Sequence, residues 1–251
     1  MGFEFPTHRL IQVFVSIACL VVGPVRAQDA IVIGAFSRMT PGATIADGWK
    51  PLTFEKIPRH TAYRLVPDAS TAVVEASARN SASGLVHDVN VDLAQYPVLR
   101  WRWKIENLLA KGDVHTRAGD DYPARLYVAF AYDRKRVGFL ERAKFEAAKL
   151  FYGEYPPIAA LNYVWDGKAP AGTSVPNAYT ARARMIVVES GPARVGEWVT
   201  VERNILDDYR NAFSGEPPAI SGVAIMTDTD NTGESVRAWF GDIEFTRPSG
   251  R

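Results

Sequence analysis

An alternating run of apolar and basic residues at positions 98–105 limits the possible folds more than any other feature of the chain. The apolar members are Leu99, Trp101, Trp103 and Ile105, and the basic members are Arg100, Arg102 and Lys104. A period of two places the two sets on opposite faces of a β-strand. Burying a tryptophan removes about 200 Å² from water and stabilises by roughly 5 kcal/mol, whereas an unpaired buried cation costs several kcal/mol. The run therefore predicts a strand with its tryptophans in a core and its cations facing water, a cleft or a neighbouring strand that carries carboxylates.

Short extended runs separated by turn residues continue along most of the chain. The predicted strands cover residues 31–33, 73–74, 98–105, 125–130, 185–188, 198–201, 222–227, 236–240 and 242–245. Residues 156–177, rich in Pro, Gly and Ala, predict a long surface loop. This pattern predicts a mainly β protein, a jelly-roll-like β-sandwich with one or two short α-helical insertions.

Two segments, residues 139–152 and 204–213, have helical spacing. In the first segment, the apolar residues at this spacing are Leu140, Ala143, Ala147, Leu150 and Phe151. In the second, Asn204 is the predicted N-cap, because its side chain can accept hydrogen bonds from the first free backbone N–H groups.

The N-terminal 27 residues predict a secretory signal peptide. An apolar run at residues 10–22 follows a cationic end and precedes the helix-breaking Gly23-Pro24. Small residues at positions 25 and 27 suit a signal peptidase, so we expect cleavage before Gln28. The apolar run is shorter than the ~20 residues that a permanent membrane helix needs. The alternatives are an uncleaved membrane anchor and lipid attachment at Cys19.

This reading divides the chain into a signal peptide at residues 1–27 and a single β-sandwich domain at residues 28–251. The protein would then be periplasmic or secreted, without a permanent membrane span. The 29 Lys and Arg residues nearly balance the 28 Asp and Glu residues, for a net charge of +1, and loss of the leader's two arginines and one glutamate brings it to zero. A neutral chain has no field that would attract nucleic acid, so none is expected as a partner.

Cysteine content and motifs exclude several kinds of chemistry. The one cysteine, Cys19, lies in the leader, so the mature chain has no disulfide, thiol nucleophile or cysteine metal site. The sequence contains no serine-nucleophile signature, no histidine spacing for zinc and no glycine-rich phosphate loop. No cofactor is predicted, apart from the calcium candidate described next, and the oligomeric state stays open.

The first of two acidic turns has the spacing of half a calcium loop. Asp228, Asp230 and Thr232 occupy the first, third and fifth positions of such a loop, and Gly233 occupies the sixth. The twelfth position is Trp239, where a calcium loop requires a bidentate glutamate. Asp228 and Asp230 are therefore a weak calcium candidate, and a hairpin turn between two strands is the favoured alternative.

The second acidic turn, residues 119–125, is either a turn with a structural salt bridge or part of a ligand site. Like charges crowded on one strand face repel each other unless acids lie opposite, and strand ends of a sandwich meet at its rim. We therefore hypothesise one shared polar site, with two separate turns as the alternative. Its ligand-binding residues would be Arg102, Lys104, Asp120, Asp121, Arg125, Trp165, Asp228, Asp230 and Asn231.

Several of these motifs together resemble a bacterial domain-of-unknown-function family, number 3047. The resemblance spans roughly residues 36–246, and its motifs lie at residues 101–104, 119–125, 163–166 and 226–233. It implies an exported protein with a β-sandwich-like fold and implies no activity. Residues 239–243 are also similar to the last strand of jelly-roll carbohydrate-binding modules, an analogy of fold that does not establish function.

The leading functional hypothesis is a non-catalytic or accessory domain that binds a small polar molecule or glycan outside the cytoplasm. Tryptophans, paired acids and cations without a nucleophile motif favour it. One alternative is a glycan-active hydrolase or lyase using paired aspartates, which needs carboxyl groups ~5–10 Å apart. Another is a structural protein of the cell envelope. A carboxylate pair in a deep cleft would favour the enzyme, and an open aromatic platform would favour the binding domain.

Overall fold

The computed structural model describes residues 30–45, 48–152 and 155–248. The predicted signal peptide at residues 1–27 lies outside these ranges. Within them, no helix has the length and apolar character needed to cross a membrane.

The described residues form thirteen strands and two α-helices. The strands are β1 (Ala30–Gly34), β2 (Trp49–Leu52), β3 (Ala62–Asp68), β4 (Thr71–Arg79), β5 (Ala82–Asp88), β6 (Val98–Ile105), β7 (Arg125–Phe130), β8 (Ala159–Asp166), β9 (Ser174–Pro176), β10 (Ala183–Ser190), β11 (Val199–Asn204), β12 (Ile220–Asp228) and β13 (Ser235–Thr246). The helices are α1 (Phe139–Tyr152) and α2 (Ile205–Phe213).

The strands build two sheets. Sheet 1 has the order β11-β6-β13-β4-β3, with β1 also paired to β13, and sheet 2 has the order β2-β5-β12-β7-β8-β10-β9. All pairs are antiparallel except the parallel pair of β8 and β10. The predicted mainly β, jelly-roll-like sandwich with two short helices is confirmed.

The core between the sheets is built around the tryptophans of β6. Trp101 and Trp103 are 1% and 0% exposed. The Trp101 ring lies 5.3 Å from the ring of Tyr163 on β8, and the Trp103 ring lies 6.5 Å from that of Trp165. The predicted inward face of β6 is confirmed, and these aromatic contacts join the two sheets.

The cations of β6 lie on the outer face of sheet 1, opposite carboxylates. Arg100 stands in register between Glu202 of β11 and Glu244 of β13. Arg102 forms a salt bridge of 3.3 Å with Asp68. Arg100 and Arg102 therefore face carboxylates of other strands of sheet 1, one of the arrangements expected from the alternation.

The prediction of a long surface loop at residues 156–177 is wrong. This segment contains β8, a central strand of sheet 2 between β7 and β10, and the short edge strand β9. Residues 161–166 are all buried. Because both faces of β8 are covered, the strand has no apolar–polar alternation that would mark it in the sequence. The loop was predicted instead from the prolines and glycines that flank the strand within residues 156–177.

The prediction that residues 228–233 form a hairpin turn between two paired strands is also wrong. β12 belongs to sheet 2 and β13 belongs to sheet 1, so the turn crosses from one layer to the other. Gly233 has a φ of 73°, which a residue without a β-carbon adopts at little cost. The crossing places this loop at the rim of the sandwich.

Helix α2 begins at the predicted cap. The side chain of Asn204 accepts hydrogen bonds from the backbone N–H groups of Leu206 (3.1 Å) and Asp207 (3.2 Å). Farther along, the carboxylate of Asp208 accepts a 2.7 Å hydrogen bond from the Tyr163 hydroxyl. This contact ties the helix to the central strand β8.

Candidate functional site

A cavity of about 700 Å³ lies on the outer face of sheet 2. Its floor is formed by outward-facing residues of β7, β8 and β12, and its walls include residues 53–57 and 177–180. Alternation along β7 explains the floor: Leu126 and Val128 face the core, so Arg125 and Tyr127 face the cavity. The sheet thus presents polar side chains on a rigid base.

The buried pair of Arg125 and Asp228 lies at the centre of the floor. The two side chains are 4% and 3% exposed and form a bidentate contact, with Nε of Arg125 2.8 Å from Oδ1 of Asp228 and Nη2 bonded to Oδ2. The backbone N–H of Tyr122 also donates to Oδ1 at 3.2 Å. Charge-assisted bidentate pairs are among the strongest polar contacts, so this pair fixes the relative positions of β7 and β12.

Arg125 makes further contacts that hold its guanidinium in place. Nη1 donates to the Tyr127 hydroxyl at 3.0 Å, Nη2 donates to the backbone carbonyl of Asp120, and the Tyr122 ring lies 4.3 Å below the guanidinium. Burial lowers the pKa of Arg125, but the Asp228 charge and its polar neighbours outweigh burial and raise the pKa well above its ordinary value. The guanidinium is therefore a permanent, fixed charge.

The two acidic turns predicted from the sequence meet beside this pair. The backbone N–H of Thr232 donates to Oδ2 of Asp121 at 2.6 Å, and Nδ2 of Asn231 donates to Oδ1 of Asp121 at 3.3 Å. Nδ2 of Asn177 donates to Oδ2 of Asp120 at 3.2 Å. Asn231 in turn accepts a 3.0 Å hydrogen bond from the Tyr179 hydroxyl. The alternative of two separate turns is therefore wrong, because the turns form one hydrogen-bonded rim.

Carboxylate oxygens of Asp121, Asp228 and Asp230 lie within 4.8 Å of one another. These are the residues that could hold a metal ion, and they include both members of the weak calcium candidate. Burial and the neighbouring Asp121 carboxylate raise the pKa of Asp230. Asp228, however, is already neutralised by Arg125, whose fixed positive charge would repel a divalent cation. The donor set therefore fits a metal ion poorly.

Three predicted site residues lie elsewhere. Arg102 and Lys104 are on the outer face of sheet 1, where the Arg102 guanidinium lies 4.3 Å and the Lys104 ammonium 5.0 Å from the Trp198 ring. Trp165 is 0% exposed in the core, with Nε1 donating to the Gly191 carbonyl at 3.2 Å. Five of the other six predicted residues line the cavity, namely Asp120, Arg125, Asp228, Asp230 and Asn231, and the sixth, Asp121, is hydrogen-bonded to Asn231.

The residues that line the cavity and were not predicted from the sequence include Tyr127, Asn162, Asn177 and Tyr179. Tyr127 could have been found, because it lies two positions after Arg125 on the same strand face. The other three fell in or beside the segment taken for a loop. Asn162 is 1% exposed, and among the described residues its carbonyl oxygen has no hydrogen-bond partner.

The fold and the site together define a β-sandwich protein with a polar, acid-rich cavity on the outer face of one sheet. The family model described as "Protein of unknown function (DUF3047)" matches residues 47–244. The chain therefore belongs to this family, as the resemblance in the sequence indicated. A search of the curated proteins finds no match.

Several solved structures are distantly similar. An arabinose-bound MgGH51 α-L-arabinofuranosidase is 11% identical with a TM-score of 0.43, covering 88% of this chain and 27% of that chain. The family 30 carbohydrate-binding module of a Clostridium thermocellum cellulosomal cellulase is 10% identical with a TM-score of 0.40, covering 88% of this chain and 99% of that chain. The xyloglucanase domain of NopAA from Sinorhizobium fredii is 8% identical with a TM-score of 0.43, covering 81% of this chain and 94% of that chain. At this distance the likenesses carry no argument about function.

Proposed function

We propose that this protein binds a hydroxyl-rich polar ligand, such as a glycan, in the cavity on the outer face of sheet 2, outside the cytoplasm. The observation that carries the proposal is a cavity of about 700 Å³ whose floor holds a buried, hydrogen-bonded polar network around Arg125. Ligand sites typically enclose roughly 300–1,000 Å³ and hold a few fixed polar groups. This cavity has both properties.

The lining suits the two sides of a sugar ring. Amide and carboxylate groups of Asn162, Asn177 and Asp120 can bond hydroxyl groups, and the rings of Phe54 and Tyr179 offer apolar surface for its C–H faces. These residues line one cavity. Because Arg125 and Asp228 are locked together, the polar floor is preorganised, which reduces the entropy lost on binding.

A glycan array followed by isothermal titration calorimetry tests the proposal on the purified protein. We expect binding to at least one oligosaccharide class, weakened about ten-fold or more by Asn162→Leu and by Tyr179→Ala. Lys104→Ala, on the outer face of sheet 1, is the matched control and should stay within about two-fold of wild type. Thermal melts establish that each variant is folded.

The proposal fails if no oligosaccharide binds, or if both cavity variants bind as the wild type does. A selective loss of binding in Lys104→Ala would place the ligand on sheet 1 and would also overturn it.

Hydrolysis by paired aspartates is less well supported. Asp230 lines the cavity, but its close neighbour Asp121 is 1% exposed and has both oxygens engaged by N–H donors of the adjacent loop. A hydrolase needs two carboxyl groups on either side of the scissile bond, whereas carboxylate oxygens of Asp121, Asp228 and Asp230 cluster within 4.8 Å of one another and Asp228 is paired with Arg125. Release of reducing ends from a bound oligosaccharide would reverse this preference.

A further inference from the structure

The lining of the cavity carries more acid than base. Four carboxylates and two cations line it, namely those of Glu55, Asp120, Asp228 and Asp230, and those of Lys56 and Arg125. Asp121 adds another carboxylate oxygen within 4.8 Å of those of Asp228 and Asp230. An excess of partly buried carboxylates is costly unless a positive charge compensates it.

The protein's own cations compensate only part of this excess. Arg125 pairs with Asp228 and lies 3.6 Å from the Asp120 carboxylate, and its other N–H groups donate to the backbone carbonyl of Asp120 and to a neighbouring phenol. Lys56 is exposed, and two further cations, Lys111 and Arg117, donate to backbone carbonyls of the surrounding loops. Arg125 thus serves Asp120 and Asp228 and leaves Asp230 without a basic partner in the described part of the chain.

Asp230 is the carboxylate best placed to receive a ligand. Across residues 30–45, 48–152 and 155–248, neither Asp230 nor Asp121 forms a salt bridge with lysine or arginine. Asp230 is only partly buried and lines the cavity. Both oxygens of Asp121 already accept N–H donors, so the free accepting capacity of this pair lies on Asp230.

An unsatisfied acceptor on the floor points the same way. Asn162 is 1% exposed and lines the cavity, and its amide nitrogen faces the Met185 sulfur at 3.2 Å. Its carbonyl oxygen has no hydrogen-bond partner among the described residues. A buried acceptor without a partner costs free energy unless a bound group donates to it. The cavity therefore offers acceptors and requires a ligand rich in donors.

We propose that the ligand is an amino sugar with a free primary amine, whose ammonium group lies against Asp230. This inference rests on the proposed function and deepens it by naming the ligand class. An ammonium group supplies one positive charge and three N–H donors, which match the acid excess and the unsatisfied acceptor. Uronic acids and sulfated sugars would add negative charge to an acidic cavity and are excluded from the ligand class.

An ammonium group fits the acids better than a metal ion does. Both oxygens of Asp228 accept from Arg125, and the adjacent guanidinium repels a divalent charge twice as strongly as a single one. A compact ammonium group can approach Asp230 alone, without displacing Arg125 from Asp228.

Matched β-1,4-linked oligosaccharides test the inference by calorimetry. Three members differ only in the substituent at C2: free amine (chitosan oligomers), N-acetyl (chitin oligomers) and hydroxyl (cellulose oligomers). The fourth, an oligouronate, keeps the hydroxyl at C2 and carries a carboxylate at C6. We expect the free amine to bind about ten-fold or more tightly than its N-acetyl counterpart. Asp230→Asn should remove this preference, so that the free-amine and N-acetyl oligomers bind within about two-fold of each other. Asp207→Asn, an exposed site on α2, is the matched control and should keep it.

Each result separates the inference from the proposed function. Equal or tighter binding of the N-acetyl, neutral or acidic oligomers overturns the inference and leaves glycan binding intact, as does a preference that survives in Asp230→Asn. The titration is repeated in EDTA and in calcium. A preference that appears only in EDTA would show that a metal ion, rather than the amine, satisfies the acids, and would overturn the inference. Absence of binding to every oligosaccharide overturns both proposals.

Discussion

At the scale of single residues, Asp230 combines partial burial with a neighbouring acid. Burial and the Asp121 carboxylate raise the pKa of Asp230 above its ordinary value. A carboxyl group whose pKa is raised by folding favours the folded state in its protonated form. Its stabilisation is therefore present below the unfolded pKa of about 3.9 and is lost as the pH rises through the folded value. Ionised Asp230 thus lowers the free energy of unfolding at neutral pH.

We expect Asp230→Asn to raise the free energy of unfolding at pH 7. The gain should be less than about 1 kcal/mol, because water screens the partly exposed carboxylate. It should shrink as the pH falls through the raised pKa of folded Asp230 and vanish below the unfolded pKa of about 3.9. Urea unfolding followed by tryptophan fluorescence across this pH range measures the difference. A variant less stable than the wild type at pH 7 would show that the ionised carboxylate stabilises the loop.

Residue types in the sequence predicted much of the site but not its pairing. Six of the residues proposed as one polar site do meet, because acids, amides and an arginine at strand ends collect at the rim of a sandwich. The partner of Arg125 is Asp228, which lies 103 positions away in the sequence. A local sequence pattern cannot predict a pairing over that separation. Trp165 was misplaced because an aromatic residue in a supposed loop reads as exposed, whereas it is a core residue of β8.

At the scale of single elements, α1 shows its more apolar face to solvent. Leu140 and Leu150 are 77% and 86% exposed, whereas Phe145 is 1% exposed. The Phe145 ring stacks on Tyr132 at 4.3 Å, and the Arg182 guanidinium lies 4.7 Å from it. One buried aromatic ring with these partners orients the helix, and the stripe of leucines and alanines that would ordinarily pack on a core faces outward.

Substitutions on the two faces of α1 should therefore differ sharply. We expect Leu140→Glu and Leu150→Glu to change the free energy of unfolding by less than about 0.5 kcal/mol, as exposed positions do. Phe145→Ala should cost about 3–5 kcal/mol, because it removes a buried ring. Chemical unfolding with circular dichroism detection measures all three. A large loss in either leucine variant would mean that the apolar stripe is covered in solution.

Elements with a clear period could be predicted, and elements covered on both sides could not. The alternation of β6 gave its bounds and its buried face, since one side of that strand is wet. β8 has no such contrast because β7 and β10 flank it and both faces are buried. That this segment is a strand depends on its pairing within the sheet, so the assembled fold identifies it and the local sequence does not.

At the scale of the whole molecule, the cavity depends on the assembly of distant segments. Residues 53–57, 120–127, 177–183 and 226–231 all contribute to it. The sequence could predict the class of fold, because alternation and turn spacing recur along the chain. It could not predict the cavity, because the outer face of sheet 2 is set by strand order, and strand order is decided by non-local pairing.

The segment that precedes the sandwich in the sequence predicts that the protein is exported. The apolar run at residues 10–22, the Gly23-Pro24 break and the small residues at positions 25 and 27 suit a signal peptide. We expect protein recovered outside the cytoplasm to begin at Gln28, as read by N-terminal sequencing. Ala27→Asp, which places a charge in the small-residue pocket of the peptidase, should accumulate as a membrane-associated precursor, whereas Asp29→Asn should be processed normally. Full-length wild-type protein in the membrane fraction would instead identify an uncleaved anchor, and full-length protein in the cytoplasm would contradict export altogether.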